Sequence, residues 1–258
     1  MIELEKANNK NSFLHQLGAL VKSFTPYQIC YLAAVLIITV AFIIIMPENM
    51  LDDTSNKFIV VCSVIACLAN PVCELLISKQ SKMNFLVDIF FIELTEFFVC
   101  MHIGSYAIAT VTLIFWIPID IISYIRWTKK PDEIREEETI VRQLPWKMDL
   151  LVILAILVFG FGVGYLFSFV PGLADSYLDA FAAASGMANG VLLLLRYREQ
   201  WFAWLLTLAL YTAMYIQTGS YIMLITVAAM FVNTCYGFVK WLMYVKRRSE
   251  RLQSGTEK

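Results

Sequence analysis

Charge is scarce in this chain: 16% of its 258 residues are Asp, Glu, Lys or Arg, and two are histidine. So little charge, beside 59% hydrophobic residues and a mean hydropathy of +0.68, excludes an ordinary soluble domain. Catalytic signatures are missing too. No HExxH, GxSxG or Walker A loop occurs, and His15 and His102 lie far apart, so no enzyme chemistry and no ATP hydrolysis is expected. The cysteines (Cys30, Cys62, Cys67, Cys73, Cys100 and Cys235) all fall in apolar segments, none at CxxC spacing. They read as small buried hydrophobes, and neither a disulfide framework nor a metal or other cofactor is expected. Basic residues are spread over connections rather than gathered on one face, which argues against nucleic acid as a partner. No short basic head on an apolar run precedes Ser23, so no cleavable leader is expected.

What the chain has is apolar length. Eight stretches long enough to cross a bilayer are predicted at 27–46, 58–77, 83–102, 106–127, 148–170, 177–195, 201–217 and 220–245. Threaded alternately, they put Lys and Arg in groups of three, two, six, two and six on one face and leave Lys57 alone on the other. The positive-inside rule makes the crowded face cytoplasmic, with both termini there. The fold class expected is an all-α polytopic membrane protein of eight transmembrane helices, with lipid as its surroundings. Residues 12–24 carry Phe13, Leu14, Leu17, Leu20, Val21 and Phe24 at helical spacing, either an amphipathic helix on the membrane surface or a short helix packed on the protein. The acidic run Asp132–Glu138 in the longest cytoplasmic connection is expected to be a solvated helical linker.

Two tight connections look alike. His102-Ile103-Gly104-Ser105-Tyr106 matches Gln217-Thr218-Gly219-Ser220-Tyr221, and each opens a long apolar helix that closes on a base and a tryptophan, Arg126-Trp127 and Lys240-Trp241. Three helices thus repeat as three, with one inversion helix between them, which predicts a parallel repeat about an axis along the membrane normal. The expected divisions are 1–57 (amphipathic segment and an extra helix), 58–127 (first bundle), 128–176 (linker and inversion helix) and 177–258 (second bundle and basic tail).

Two such bundles enclose a cavity at their interface, and the polar content of the spans fits one. Ionisable groups inside a span cost about 2.5–3.5 kcal/mol at its centre unless they face protein or water. Asp88, Glu93, Glu96 and Asp120 occupy such positions in the first bundle, with Asn70 and Glu74; the second offers Asn189, Thr212, Gln217, Thr226 and Asn233. These acids either brace helix contacts or face a ligand rich in donors or positive charge. On α-helical spacing, Glu93 and Glu96 share a face and Asp88 lies off to one side. Pro71 and Pro118 are sites of kinks or hinges. Gly186 and Gly190, one turn apart, allow close helix contact. Trp204 and Trp116 lie deeper than an interfacial belt and could stack a flat heterocycle, with Trp201, Tyr211 and Tyr215 along the same helix as Trp204. The candidate substrate residues are Trp201, Trp204, Tyr211, Glu93, Asn233, Asn189, Trp116 and Asp88.

Tyr177-Leu178-Asp179-Ala180, Arg198-Glu199-Gln200-Trp201-Phe202-Ala203-Trp204, Gly219-Ser220-Tyr221 and Tyr236-Gly237 with Trp241 together resemble the C-terminal half of the PnuC family of nicotinamide riboside transporters. The first half is similar more faintly, through Asn84-Phe85, Gly104-Ser105-Tyr106 and Trp127. The resemblance implies a fold like that of full-length SWEET transporters, three plus one plus three helices, with one N-terminal helix added. It implies a homotrimer in a bacterial inner membrane and facilitated diffusion of a nucleoside-like solute, trapped by phosphorylation inside the cell. Trp201 and Trp204 then belong to the substrate site. Leu208 stands where the family commonly has Asn or Asp, which points to an altered base specificity, with another nucleoside or a vitamin such as thiamine as alternative cargo. A polytopic sensor that binds without translocation is the reading from a different class.

Overall fold

The computed structural model describes residues 24–45, 56–129, 140–170 and 175–253, so the amphipathic 12–24 segment and the acidic run 132–138 lie almost wholly outside the described residues. The described residues form helices and their connections: α1 (Pro26–Ile45), α2 (Lys57–Ser78), α3 (83–102), α4 (Tyr106–Thr128), α5 (Trp146–Phe167), α6 (Ser176–Leu194), α7 (Gln200–Thr218) and α8 (Tyr221–Gln253). Six of them, all but α3 and α7, are long and apolar enough to cross a membrane. Their outward faces are those of a membrane protein: Ile37, Ile44, Phe90, Ile114, Val158 and Phe169 are among many large apolar side chains left exposed.

Local chemistry sets the helix ends. The Asn56 side chain caps α2 by accepting from the Ile59 amide, and Asp175 caps α6 by accepting from the Tyr177 and Leu178 amides at 3.1 Å. The tight connections depend on glycine: Gly104 at φ 77° and Gly219 at φ 74° lie in the left-handed region, where a side chain is disfavoured. Each lets the next serine amide reach back, Ser105 to the Cys100 carbonyl at 2.8 Å and Ser220 to that of Tyr215 at 3.0 Å.

Neither α3 nor α4 is a regular α-helix. Asp88–Glu93 and Thr112–Trp116 are π-helical turns set between α-helical pieces. A π turn stacks residues five apart, whereas an α-helix puts them about 140° apart around the axis. The expectation that Asp88 lies off to one side of Glu93 is therefore corrected. The two carboxylates come within 4.8 Å of each other, and of Asp120.

In packing, α2, α3 and α4 form one sequential group and α6, α7 and α8 a second. Between the groups, α2 packs along α8, and α4 packs along α6. α5 lies against α6, and α1 lies outside, held on α2 and α8 by Tyr31, Val35, Leu75 and Ala229, with the Tyr31 hydroxyl donating to the Ala229 carbonyl at 2.7 Å. At one end, the Trp127 indole donates to the Leu193 carbonyl at 3.3 Å, and the Trp241 indole donates to the Ile77 carbonyl at 3.2 Å. The connection before α5 docks there too: Arg142 exchanges backbone hydrogen bonds with Arg196 and Arg198, and the Leu144 amide donates to Glu199 at 2.8 Å. Burial, then the neighbouring Arg142, Arg126 and Arg248, hold the Arg196 guanidinium below its ordinary pKa.

Candidate substrate cavity

A cavity of about 50 Å³, room for a few waters, lies where α2, α3 and α4 face α6 and α7. Its floor is acidic. Glu74 comes from α2, and Asp88, Glu93 and Glu96 come from α3. Glu96 is held by Asn70, whose amide donates to it at 2.6 Å. Glu74 is held by Asn233 of α8, which donates at 3.2 Å. The opposite wall is aromatic and amide: Trp204 and Tyr211 of α7, with ring centroids 6.4 Å apart, and Asn189 of α6 with Gln200 of α7. The Trp204 indole N–H faces the Glu74 carboxylate without closing a hydrogen bond of good geometry.

Of the candidates named from the sequence, Trp204, Tyr211, Glu93, Asn189, Trp116 and Asp88 line this cavity. Trp201 and Asn233 do not. Trp201 is fully buried against Trp241, edge to face at 5.5 Å, in a core with Phe85 and Trp127. Three residues apart on one helix, Trp201 and Trp204 point about 60° apart around its axis, which turns one into the core and the other toward the polar space. Asn233 sits one layer out and touches the site through Glu74. Trp116 lies over α6, where a Cβ on Gly190 would come within 2.8 Å of its ring, so the glycine is what admits the indole. Leu208 does not line the cavity. It faces an apolar groove between α7 and α8 with Leu205, Leu224, Val227 and Phe231.

Gln200 was not among the candidates, although it lies one turn before Trp204 and so on the same face. Its Oε1 accepts from Asn189 at 2.6 Å, and its Nε2, buried at the cavity, has no hydrogen-bond partner. A buried amide N–H without an acceptor costs about 1–3 kcal/mol, so a ligand acceptor there would recover that loss. In the sequence, Glu74 and Asn70 show only as polar content of α2. Their place at the cavity depends on α2 facing α3 and α7, which sequence periodicity does not specify.

A buried, polar, aromatic-walled cavity among membrane helices is a site for a small polar solute. Residues 60–243 match the family described as "Nicotinamide mononucleotide transporter", and the chain belongs to that family. Similar proteins include the nicotinamide riboside transporter PnuC of Neisseria mucosa, 25% identical over 199 residues that cover 72% of this chain and 73% of that protein. The protein of the same name from Haemophilus influenzae is 21% identical over 227 residues, 88% of this chain and 94% of its own length. The fold is that of the crystal structure of the vitamin B3 transporter PnuC, with a TM-score of 0.72 at 22% identity over 92% of this chain and 99% of that one.

Proposed function

We propose that this protein is a uniporter for a nucleoside-like solute, nicotinamide riboside or a related nucleoside, which it admits by facilitated diffusion. The observation that carries the reading is the cavity itself: carboxylates suited to sugar hydroxyls or a cationic ring lie on one side, and Trp204 and Tyr211 with the Asn189 and Gln200 amides on the other. Trp204, Tyr211 and Trp116 wall the base, and Glu93, Asp88, Asn189 and the unpartnered Gln200 amide take up polar groups. Trp201 and Asn233 act behind them, through α7 packing and through Glu74. The relatives named for nicotinamide riboside support the choice of solute.

All eight helices cross the bilayer in this reading, α3 and α7 included, because the polar side chains of α3 turn inward. The helices α2–α4 and α6–α8 form a SWEET-like parallel repeat, three plus one plus three, with α1 added. Matching contacts support the repeat at offsets of 114 to 116 residues. Trp127 on Leu193 answers Trp241 on Ile77, Phe85 beside Trp127 answers Trp201 beside Trp241, and the positive φ of Gln80 answers that of Arg196. A cavity of about 50 Å³ is too small for a nucleoside, since ligand pockets run from about 300 Å³ upward. The two groups therefore part to admit the solute, which is alternating access. Both termini face the cytoplasm of a bacterial inner membrane, where phosphorylation traps the product. The protein assembles as a homotrimer.

Uptake of radiolabelled nicotinamide riboside and other nucleosides into proteoliposomes tests this. Equilibration without ATP or an ion gradient is expected, with accumulation only when a nucleoside kinase is enclosed. Folded protein that carries none of these solutes would overturn it.

A further inference from the structure

Asp88, Glu93 and Asp120 place one carboxylate oxygen each within 4.8 Å of the others, at the wall between α3 and α4. Asp120 and Glu93 are buried. The Oδ2 of Asp120, a residue 1% exposed, is buried and has no hydrogen-bond partner. Among the described residues, the charged groups that bear on these three are carboxylates: Glu74, Glu96 and one another. Buried like charges at such range repel strongly, and an unpaired buried carboxylate is costly by itself. Two buried carboxylates and the half-buried Asp88 can share this space only if protons, or a counter-charge with several open coordination positions, relieve the repulsion. The π turn makes the cluster, because it stacks Asp88 and Glu93, five apart in sequence, on the side that meets Asp120.

We propose that Asp88, Glu93 and Asp120 bind a hard divalent metal cation through carboxylate oxygens and so tie α3 to α4. Oxygen-only ligands select ions of the calcium, magnesium and manganese kind. An ion in the plane of three oxygens at about 2.3–2.6 Å from each needs them about 4.0–4.5 Å apart, within the spacing found here. A divalent ion balances most of three negative charges, where a monovalent one leaves two. Each carboxylate keeps a second oxygen, so Asp88 and Glu93 can hold the ion and still face the cavity. The site stands whichever solute the protein carries.

The full-length protein in detergent, stripped with chelator, is titrated with Mn²⁺ and followed by electron paramagnetic resonance, with thermal unfolding read in Ca²⁺, Mg²⁺ and Mn²⁺. One bound Mn²⁺ per chain is expected, with a cation-dependent rise in unfolding temperature. Asp120→Asn should weaken binding at least tenfold and abolish that rise, Asp120→Glu should keep part of both, and Asp149→Asn should change neither. Failure of the wild-type protein to bind a stoichiometric ion, or binding unchanged in Asp120→Asn, overturns the proposal. The wild-type titration decides it even if the variants do not fold. Nucleoside uptake measured on the same preparation separates that result from failure of the transport reading.

Discussion

Asn233 of α8 donates a hydrogen bond to Glu74 of α2 at 3.2 Å, with both residues buried. The bond crosses from one helix group to the other and orients a carboxylate that lines the cavity. Removing one partner of such a pair leaves the other desolvated and unpaired, which costs more than the bond is worth when made. Asn233→Ala should thus destabilise the protein by about 1–3 kcal/mol, read as a lower unfolding temperature in detergent. Adding Glu74→Leu should recover part of the loss. Equal stability of Asn233→Ala and wild type would show that the bond holds nothing together.

The two tryptophans of α7 should separate by phenotype. Trp201, fully buried on Trp241, should cost about 3–5 kcal/mol when cut to Ala, seen as low yield or low unfolding temperature. Trp204→Ala should leave folding nearly intact and reduce nucleoside uptake at least tenfold. The opposite pattern would move the site to Trp201.

At Gln200, Leu keeps the volume and removes the buried donor. Substrate affinity of Gln200→Leu should fall about tenfold, the value of one unsatisfied hydrogen bond, measured by calorimetric titration with the transported nucleoside. Unchanged affinity would mean that the Nε2 never meets the ligand.

Gly190→Ala would put a methyl within 2.8 Å of the Trp116 ring, so the indole must shift toward the cavity. Slower uptake and a changed tryptophan emission spectrum are expected, and Gly190→Val should be worse. An unchanged spectrum would show that the ring has room elsewhere.

At Gly219, φ 74° forces any side chain into the left-handed region, at a cost of about 1–2 kcal/mol. Gly219→Ala should lower the unfolding temperature, whereas Gly162→Ala on α5, where a Cβ meets nothing within 4 Å, should not.

Much of the architecture could be read from the sequence because membrane helices state themselves in apolar length. Both Gly-Ser-Tyr connections carry a left-handed glycine, and the Trp127 and Trp241 indoles that close the following helices each donate to a backbone carbonyl. The candidate site was harder to read. Periodicity of 3.6 set Asp88 apart from Glu93, and only the π turn reunites them. A W-x-x-W pattern cannot say which indole meets the partner helix, and Trp201 went to the core. Leu208, four after Trp204, is fully buried beside the α7–α8 groove, so its apolar character answers to helix packing. Gln200 gave a spacing signal, its one-turn distance from Trp204, but its significance depends on the orphaned amide that folding reveals.

The wide turn at Asp88–Glu93 acts as a phase shift along its rod. One surplus residue turns everything after it by about 100°, so Glu96, Val99 and Cys100 are aimed by an irregularity several residues upstream. A one-residue deletion between Ile89 and Ile92 would leave the composition almost untouched and the hydropathy plot unchanged. It would nonetheless turn Glu96 away from the cavity and bring Phe98 inward.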